Sequence, residues 1–293
     1  GALVAFPTET VYGLGADASN KHAVANIFEA KGRPSFNPLI VHVSDITTAK
    51  RYAEWNAQAE NLAQTFWPGP LTLVLPRLAG ASLSSLVTAG AATVAIRVPA
   101  HPVAQRLLKQ FDGAIAAPSA NPSGQISPTR AAHVIEGLGN TVSAVLDGGP
   151  CDVGLESTIV GIENAGSTLR LLRPGGLARE DIEQHLGVAL ETYQTPGLIS
   201  APGQLASHYA PKARLRLNAT DWTGDENRLG FGDVACDLNL STSGNLTEAA
   251  CNLFHCLHLL DSGPETIIAV SPIPEIGLGQ AINDRLRRAA APR

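Results

Sequence analysis

The stretch FPTETVYGLG, residues 6–15, joins an apolar run to a segment rich in hydroxyl groups. Residues 2–6 predict a buried strand, and the two threonines follow where that strand ends. We interpret the hydroxyl-rich part as a tight turn that leads into a glycine pair. Side chains and backbone amides at the strand ends of α/β sheets are free to converge on a small molecule. The stretch therefore predicts an α/β fold with a binding pocket near its start.

Up to about Gly187, short β-branched runs alternate with segments of helical periodicity. The predicted strands cover residues 2–6, 38–43, 71–75, 93–98, 114–117, 142–146 and 157–160. The predicted helices cover residues 21–30, 47–54, 57–66, 103–110, 131–138 and 179–186. This alternation is typical of an α/β domain.

Residues 195–211, TPGLISAPGQLASHYAP, have no usable periodicity and predict a linker. A shorter unit follows, with predicted strands at residues 213–217, 228–231 and 266–270 and predicted helices at residues 246–260 and 279–289. Its strand, helix and strand order predicts a small parallel sheet of Rossmann-like topology. We therefore expect a first domain over residues 1–192, a linker over residues 193–212 and a second domain over residues 213–293.

The composition indicates an ordinary globular protein. Hydrophobic residues make up 44% of the 293 residues and charged ones 16%, which argues against a disordered chain. The net charge of -5 argues against a protein that holds nucleic acid by overall electrostatics. The four cysteines lack the spacing of a disulfide framework, and no apolar run is long enough to span a membrane, so we expect the cytoplasm. Because the chain begins at Gly1 and contains no methionine, we expect a segment before it.

The segment KGRPSFNPLIVH, residues 31–42, places two cations beside a glycine and before a strand. Lys31 and Arg33 could point from this loop toward one anionic group, for which phosphate is the natural candidate. A solvated basic turn is the alternative. His42 lies within an apolar strand, where a histidine is ordinarily a satisfied core residue.

Three hydroxyl-rich junctions accompany this segment: PTETVYG (7–13), APSANPSGQISPT (117–129) and GLESTIV (154–160). Each one alone fits ordinary turn chemistry. Together with two further arginines, Arg97 and Arg173, which we place in loops, they predict a pocket lined by cations and hydroxyl groups. The chain contains neither GxxxxGK[ST] nor GxGxxG, so a nucleotide would be held without the standard glycine motifs.

The segment CNLFHCLH, residues 251–258, places Cys251 and His255 four residues apart, where they could share a metal. The leucines of the same segment fit the apolar face of a core helix, and a structural zinc site requires four ligands. We therefore expect no metal site there.

The ordered motifs PTETVYGLG, KGRPSFNPLIVH, FWPGPLTLVL, VAIRVP, APSANPSGQISPT, GLESTIV and LRPGG resemble those of the YrdC-like threonylcarbamoyl-AMP synthases. The linker ending in SHYAP resembles the two-domain form of this family. The resemblance implies a YrdC-like twisted mixed-sheet domain with a large central cavity and a smaller Rossmann-like α/β C-terminal domain. It also implies a nucleotidyltransferase that converts L-threonine, bicarbonate and ATP into threonylcarbamoyl-AMP and pyrophosphate, for threonylcarbamoyladenosine at position 37 of tRNA.

The resemblance further implies roles for individual residues. The residues expected to contact L-threonine are Thr10, His42, Arg97, Ala117 and Ser157. Those expected to hold ATP are Arg33, Asn37, Thr93, Ser119, Ser127, Arg173 and Tyr209. Lys31 and Arg33 are expected to act on the phosphates during catalysis, and Tyr209 to reach over the nucleotide from the linker.

The chemistry also implies Mg²⁺, held by the ATP phosphates and water rather than by a protein cage. The expected partners are the three substrates and the machinery that transfers threonylcarbamoyl to tRNA, with a weak tRNA contact and no membrane. Two alternatives stay open. One is an RNA-binding module without catalysis, and the other is carbamoyl transfer from carbamoyl phosphate in metalloenzyme maturation.

Overall fold

The computed structural model describes residues 1–163, 168–192, 207–263 and 266–292. The strands are β1 (Val4–Phe6), β2 (Gly13–Asp17), β3 (Ile40–His42), β4 (Leu71–Pro76), β5 (Thr93–Arg97), β6 (Ile115–Ala116), β7 (Ala144–Val145), β8 (Thr158–Glu163), β9 (Thr168–Arg173), β10 (Glu191–Thr192), β11 (Arg214–Arg216), β12 (Asn227–Gly230), β13 (Leu238–Asn239) and β14 (Ile267–Val270). The α-helices are α1 (Lys21–Lys31), α2 (Ile46–Ala49), α3 (Ala57–Phe66), α4 (Pro102–Phe111), α5 (Ala131–Leu138), α6 (Arg179–Leu186), α7 (Leu246–Asp261) and α8 (Leu278–Ala290), and Gly139–Thr141 form a 3₁₀ turn.

The strands form two separate sheets. The larger sheet has ten strands in the order β10-β9-β8-β4-β5-β3-β6-β2-β1-β7 and mixes parallel with antiparallel pairs. The smaller sheet has the order β11-β14-β12-β13, and all three of its pairs are parallel. Strands β12 and β14 are a parallel pair, and helix α7, which lies between β13 and β14 in the chain, forms part of the crossover that this pair requires. The predicted two-domain α/β fold, with a mixed sheet and a smaller parallel sheet, is confirmed.

The central strands of the large sheet are apolar on both faces. Along β4, Leu71, Leu73 and Leu75 pack into the main core, whereas Val74 points to the opposite face. That opposite face carries its own small apolar cluster, which consists of Ile40, Val74, Ala95, Ile159 and Leu172. This second face is therefore also apolar, and the candidate site lies on it.

The hydroxyl-rich residues 7–12 form a loop after β1, as predicted, and residues 13–17 form strand β2, which was not predicted from the sequence. Gly15 allows close packing against the ring of Phe6. A Cβ at Gly15 would lie 2.8 Å from that ring and 3.0 Å from Ile115, whereas a Cβ at Gly13 would lie 3.3 Å from the Cβ of Ala117 and 3.5 Å from the ring. The strand went unpredicted because glycine weakens the apolar alternation of a strand, although glycine often marks a close approach.

The helix predicted over residues 47–54 is also wrong in length, because α2 ends at Ala49. The chain then turns, with the amides of Arg51 and Tyr52 bonded three residues back. The amide of Glu54 donates to the carbonyl of Pro76, next to the end of β4. Pairing with the neighbouring strand therefore replaces the last helical turn. Strands β9, β10 and β13 were not predicted, whereas α3, α5 and α6 have the predicted bounds.

The two sheet units pack directly on each other. Val11, Ile126 and Leu155 of the large unit belong to the same buried cluster as the residues of α7 and α8. Most of the predicted linker, residues 193–206, lies outside the described residues, and the described part begins at Ser207. None of the helices in the described ranges combines the length and apolar character needed to cross a membrane.

Candidate active site

A cavity of about 550 Å³, part of it open to solvent, lies over the second face of the large sheet. Its walls come from the β1–β2 loop, the loop after α1, strands β3, β5 and β9, and the loop after β6. The segment before β8 and the linker residues His208 and Tyr209 complete it. Segments that are distant in the sequence therefore meet in one cavity.

Arg33 enters the cavity because helix α1 ends just before it. Gly32 takes the left-handed conformation at φ 59°, and its amide and that of Arg33 donate to the last turn of the helix. The guanidinium of Arg33 donates to the carbonyls of Asn37, at 3.2 Å, and Pro38, at 2.9 Å. Burial lowers the pKa of Arg33 to about 10. The side chain is thus a cation in a dry position, where it interacts strongly with an anion.

Arg97 ends strand β5 and lies at the bottom of the cavity. Its Nη2 lies 2.6 Å from the carboxylate of Glu9, its Nη1 donates to Thr10 Oγ1 at 2.7 Å, and its Nε donates to the carbonyl of Gly69 at 3.1 Å. Both charged side chains are less than a tenth exposed. Three fixed partners hold the guanidinium plane, so the cation is preorganised for a carboxylate or phosphate.

His42 lies beside Arg97, because β3 and β5 are parallel and pair these two residues. Its ring meets Phe6 edge to face at 6.1 Å, and its Nδ1 has no hydrogen-bond partner in the described part of the chain. Burial, together with the charge of Arg97, lowers the pKa of His42 to about 3. The imidazole is therefore neutral at pH 7.

Arg173 ends strand β9 and contacts Ser157 across the sheet. Its Nη2 donates to the carbonyl of Ser157 at 2.7 Å and to Ser157 Oγ at 3.2 Å. Ser157 Oγ also lies 2.7 Å from Thr72 Oγ1. Burial lowers the pKa of Arg173, and the guanidinium contributes a third buried cation to the cavity.

The linker residues His208 and Tyr209 close one side of the cavity. Tyr209 is 1% exposed and has φ 63°, a conformation that is uncommon for a residue other than glycine. Its neighbour Ala210 donates from its amide to the carbonyl of Gly124, and the amide of His208 donates to the carbonyl of Arg288. The linker end is therefore fixed to both units of the fold.

The arrangement is suited to an anionic ligand that also carries hydroxyl or amine groups. Three guanidinium groups and several hydroxyls face the cavity, and Glu156 is the single carboxylate among the lining residues that the structure describes. The donors are fixed by neighbouring backbone, so little reorganisation is needed on binding.

Two family models cover this chain. Residues 1–175 match the Sua5_yciO_yrdC model, whose description is "Telomere recombination". Residues 177–291 match the model described as "Threonylcarbamoyl-AMP synthase, C-terminal domain". The chain belongs to the Sua5 family. Threonylcarbamoyl-AMP synthases from Pyrococcus abyssi and Bacillus subtilis are each 40% identical to it, over 99% of this chain and 91% and 90% of their own lengths.

The fold agrees with that of a solved Sua5 protein. The crystal structure of P. abyssi Sua5 complexed with L-threonine superposes with a TM-score of 0.91, at 38% identity, over 99% of this chain and 90% of that one. The resemblance to the YrdC-like synthases is therefore confirmed in sequence and in fold.

The structure brings together nine of the residues that we expected at the site of this Sua5 chain. All five expected threonine contacts line the cavity, namely Thr10, His42, Arg97, Ala117 and Ser157. Four expected ATP contacts line it too, namely Arg33, Ser119, Arg173 and Tyr209. Arg97, which falls within the predicted strand over residues 93–98, is the last residue of β5, and Arg173, which we expected in a loop, is the last residue of β9.

Four expected site residues lie outside the cavity lining. The ammonium of Lys31 donates to the carbonyls of Ser119 and Asn121, and burial lowers its pKa well below the ordinary range. Lys31 therefore stabilises the backbone of the loop after β6. Ser127 Oγ donates to Glu156. Thr93 begins strand β5, at the opposite end from Arg97.

Asn37 is the fourth of these residues. It is fully buried, and neither atom of its side-chain amide has a hydrogen-bond partner within the described ranges. An unpartnered buried amide costs free energy unless another group satisfies it. This amide lies on the loop whose carbonyls hold Arg33.

Seven lining residues were not predicted as site residues: Thr8, Val11, Gly13, Ile40, Pro118, Glu156 and His208. Thr8 organises the β1–β2 loop, because its Oγ1 accepts from the amides of Thr10 and Val11. Glu156 and His208 lie directly beside predicted residues in GLESTIV and SHYAP. Adjacency to Ser157 and Tyr209 was the only signal for them in the sequence.

The residues around Cys251 and His255 form contacts between the two sheet units. Cys251 Sγ donates to the carbonyl of Cys151, and the ring of His255 stacks on that of His133. No group of three or more metal-binding side chains occurs in the residues that the structure describes.

Proposed function

We propose that this chain catalyses the synthesis of threonylcarbamoyl-AMP from L-threonine, bicarbonate and ATP. The observation that carries the proposal is the convergence of Thr10, Arg33, Ser119 and Arg173, which come from four distant motifs, on a single cavity. Cations and hydroxyl groups that face one cavity can hold a triphosphate and an amino acid side by side.

In this proposal, Arg97 binds the threonine carboxylate, while Thr10, His42 and Ser157 contact the rest of the amino acid. The threonine nitrogen adds to bicarbonate, and loss of water gives a carbamate. A carbamate oxygen then attacks the α-phosphorus of ATP, and pyrophosphate leaves. The step needs alignment and charge neutralisation more than a strong protein base. His42, whose pKa is lowered to about 3, is a weak base, which agrees with this requirement.

Arg33 and Arg173 hold the phosphates, with Ser119 and Tyr209 at the nucleotide. We also propose ATP contacts for Asn37, Thr93 and Ser127. Lys31 is a proposed catalytic residue, which would approach the phosphates if the loop after β6 changed conformation and released its ammonium group. Closure by the linker would keep water from the carbamate and the adenylate.

We further propose Mg²⁺ as the companion of ATP. Among the lining residues that the structure describes, the polar side chains are hydroxyl, imidazole and guanidinium groups, and the single carboxylate, Glu156, is paired with Arg285. This donor set fits an ion that arrives on the triphosphate and is held by phosphate oxygens and water. When bound, Mg²⁺ shares the charge that develops on the leaving pyrophosphate.

In the cell, the product would pass to the machinery that transfers threonylcarbamoyl to position 37 of tRNA. We propose a cytoplasmic location and a weak contact with tRNA. The reducing cytoplasm also fits the four cysteines, all of which are free thiols.

The test is a pyrophosphate-release assay with ATP, Mg²⁺ and bicarbonate, with and without L-threonine. We expect release to depend on threonine, and omission of bicarbonate to abolish it. Carbamoyl phosphate in place of threonine and bicarbonate should give no release. Bound ATP without threonine-dependent turnover would reject the proposal, and steeply salt-dependent tRNA binding without turnover would favour an RNA-binding module.

A further inference from the structure

Arg285 is a fully buried arginine that the smaller domain contributes close to the cavity. It lies on α8, and its side chain is 0% exposed. Its Nε donates to Glu156 Oε2 at 2.8 Å, and its Nη1 donates to Asp284 Oδ2 at 2.7 Å. Its guanidinium carbon lies 5.0 Å from the centre of the Tyr209 ring. Glu156 and Tyr209 line the cavity, whereas Arg285 does not.

Glu156 links Arg285 to the cavity, because it accepts a hydrogen bond from Arg285 and lines the cavity itself. Its Oε1 accepts from Ser127 Oγ, and its side chain is 8% exposed. Burial raises the pKa of Glu156, but the charges of Arg285 and Arg173 more than offset this and hold its pKa below the ordinary value. The titratable groups around this pair are Arg173 on β9, Asp284 on α8 and His208 and Tyr209 on the linker.

A negative charge in this wall works against a bound nucleotide. An ionised carboxylate in a dry cavity repels a triphosphate, and the repulsion is strong where water does not screen it. Arg285 neutralises that charge from outside the cavity. The same guanidinium packs on Tyr209 in a cation–π contact, which helps to hold the linker in place.

We propose that Arg285 is a positioning residue for ATP, by which the C-terminal domain neutralises Glu156 and anchors Tyr209 at the nucleotide site. This inference rests on the proposed function only in taking ATP as the ligand. It assigns the smaller domain a direct part in nucleotide binding. A pair that merely joined the two domains would affect stability and leave ATP affinity unchanged.

The main variant is Arg285→Met, which keeps the length of the side chain and removes its charge. We expect the Kd for ATP, measured by titration calorimetry, to rise about tenfold or more at about pH 8, because an unpaired buried charge remains. The Kd for L-threonine should stay within about twofold of wild type. The ratio of variant to wild-type Kd should shrink as the pH is lowered to about 6, because loss of Arg285 removes one of the two charges that lower the pKa of Glu156 and burial then favours the protonated carboxyl group.

The second variant combines Arg285→Met with Glu156→Gln, which replaces the pair by neutral groups. It should restore the Kd for ATP to within about threefold of wild type and remove the pH dependence of the ratio. The control is Arg287→Met on the same helix, where the side chain is 58% exposed and pairs with Glu275. This control should leave ATP binding unchanged.

Thermal unfolding of each variant separates a folding defect from a binding defect. If Arg285→Met does not fold, Arg285→Lys and Arg285→Lys with Glu156→Gln replace it. Lysine keeps the charge but loses the planar guanidinium that bonds to Glu156 and packs on Tyr209, so Arg285→Lys should raise the Kd for ATP about three- to tenfold, which is less than the loss in Arg285→Met. An unchanged Kd in folded Arg285→Met, or in folded Arg285→Lys where it replaces the Met variant, would overturn the proposal. Because calorimetry needs no turnover, this result is independent of whether pyrophosphate release occurs.

Discussion

Arg97 and Glu9 form an ion pair at the bottom of the cavity, with 2.6 Å between Nη2 and Oε1. The same guanidinium donates to Thr10 and to the carbonyl of Gly69, so three partners fix the orientation of its plane. A buried, fixed guanidinium beside a neutral histidine is arranged for a carboxylate ligand.

Arg97→Lys tests this arrangement because it keeps the charge and loses the planar fork. We expect the KM for L-threonine to rise about 10- to 100-fold, since a charge-assisted hydrogen bond contributes about 1.5–3 kcal/mol. The KM for ATP should change by less than about twofold. Initial rates of pyrophosphate release at varied threonine and ATP concentrations give both KM values. Arg106→Lys, on the exposed side of α4, is the control. A threonine KM equal to that of wild type would remove Arg97 from the threonine site.

Arg33→Ala should weaken the nucleotide interaction. The guanidinium is buried and held by the carbonyls of Asn37 and Pro38, and we expect its loss to cost about 1.5–3 kcal/mol of ATP binding. Titration of the variant with ATP measures this, and titration with threonine should give the wild-type affinity. Arg77→Ala, at an exposed position after β4, serves as the matched variant. If ATP affinity did not change, Arg33 would have no role in nucleotide binding.

Gly154→Ala should weaken the contact between the two domains. Gly154 has φ 75°, and a Cβ there would lie 2.5–2.6 Å from backbone atoms of Ala250 and Cys251 on α7. Gly149→Ala is the control, because Gly149 has φ 82° and nothing within 4 Å of its Cβ position. Urea unfolding should show a loss of about 1 kcal/mol for Gly149→Ala and about 1–3 kcal/mol more for Gly154→Ala. Equal losses would show that the close approach to α7 is unimportant for stability.

The stability of the fold should fall as the pH drops below neutrality. Burial lowers the pKa of His42, His133 and His208 from 6.5 to about 3. A lowered pKa in the folded state means that the unfolded chain binds more protons between these values. The contribution is therefore fully present above the unfolded pKa and is lost as the pH falls toward 3. Between about pH 7.5 and about pH 5.5, each histidine should cost up to about 1.4 kcal/mol of unfolding free energy.

His133 offers a way to isolate one contribution. Its Nδ1 accepts from the amide of Thr129, and its ring stacks at 3.9 Å on that of His258. His133→Phe should reduce the pH dependence of the urea midpoint, whereas His22→Phe, at an exposed position on α1, should not. An equal pH dependence of the urea midpoint in the wild type, His133→Phe and His22→Phe would contradict the assignment of a neutral, buried His133.

The sequence by itself determined the class of the fold and much of the site. Apolar periodicity predicted most elements, with α3, α5 and α6 at their observed bounds. It missed β2, because one of its glycines, Gly15, follows from the closeness of the Phe6 ring, which is a tertiary contact. The motifs PTETVYG, APSANPSGQISPT and GLESTIV predicted the hydroxyl groups of the cavity, because three such junctions together with Arg97 and Arg173 fit one shared pocket better than separate turns.

Only the tertiary structure decided how those groups pair with one another. Glu9 with Arg97, Glu156 with Arg285, and Lys31 with two carbonyls of the loop after β6 are contacts between residues far apart in the chain. Local pattern depends on neighbouring residues and is visible in the sequence. The compensation of a buried charge depends on which distant residue folding brings to it, and this is why the part played by the C-terminal domain appears only in the folded protein.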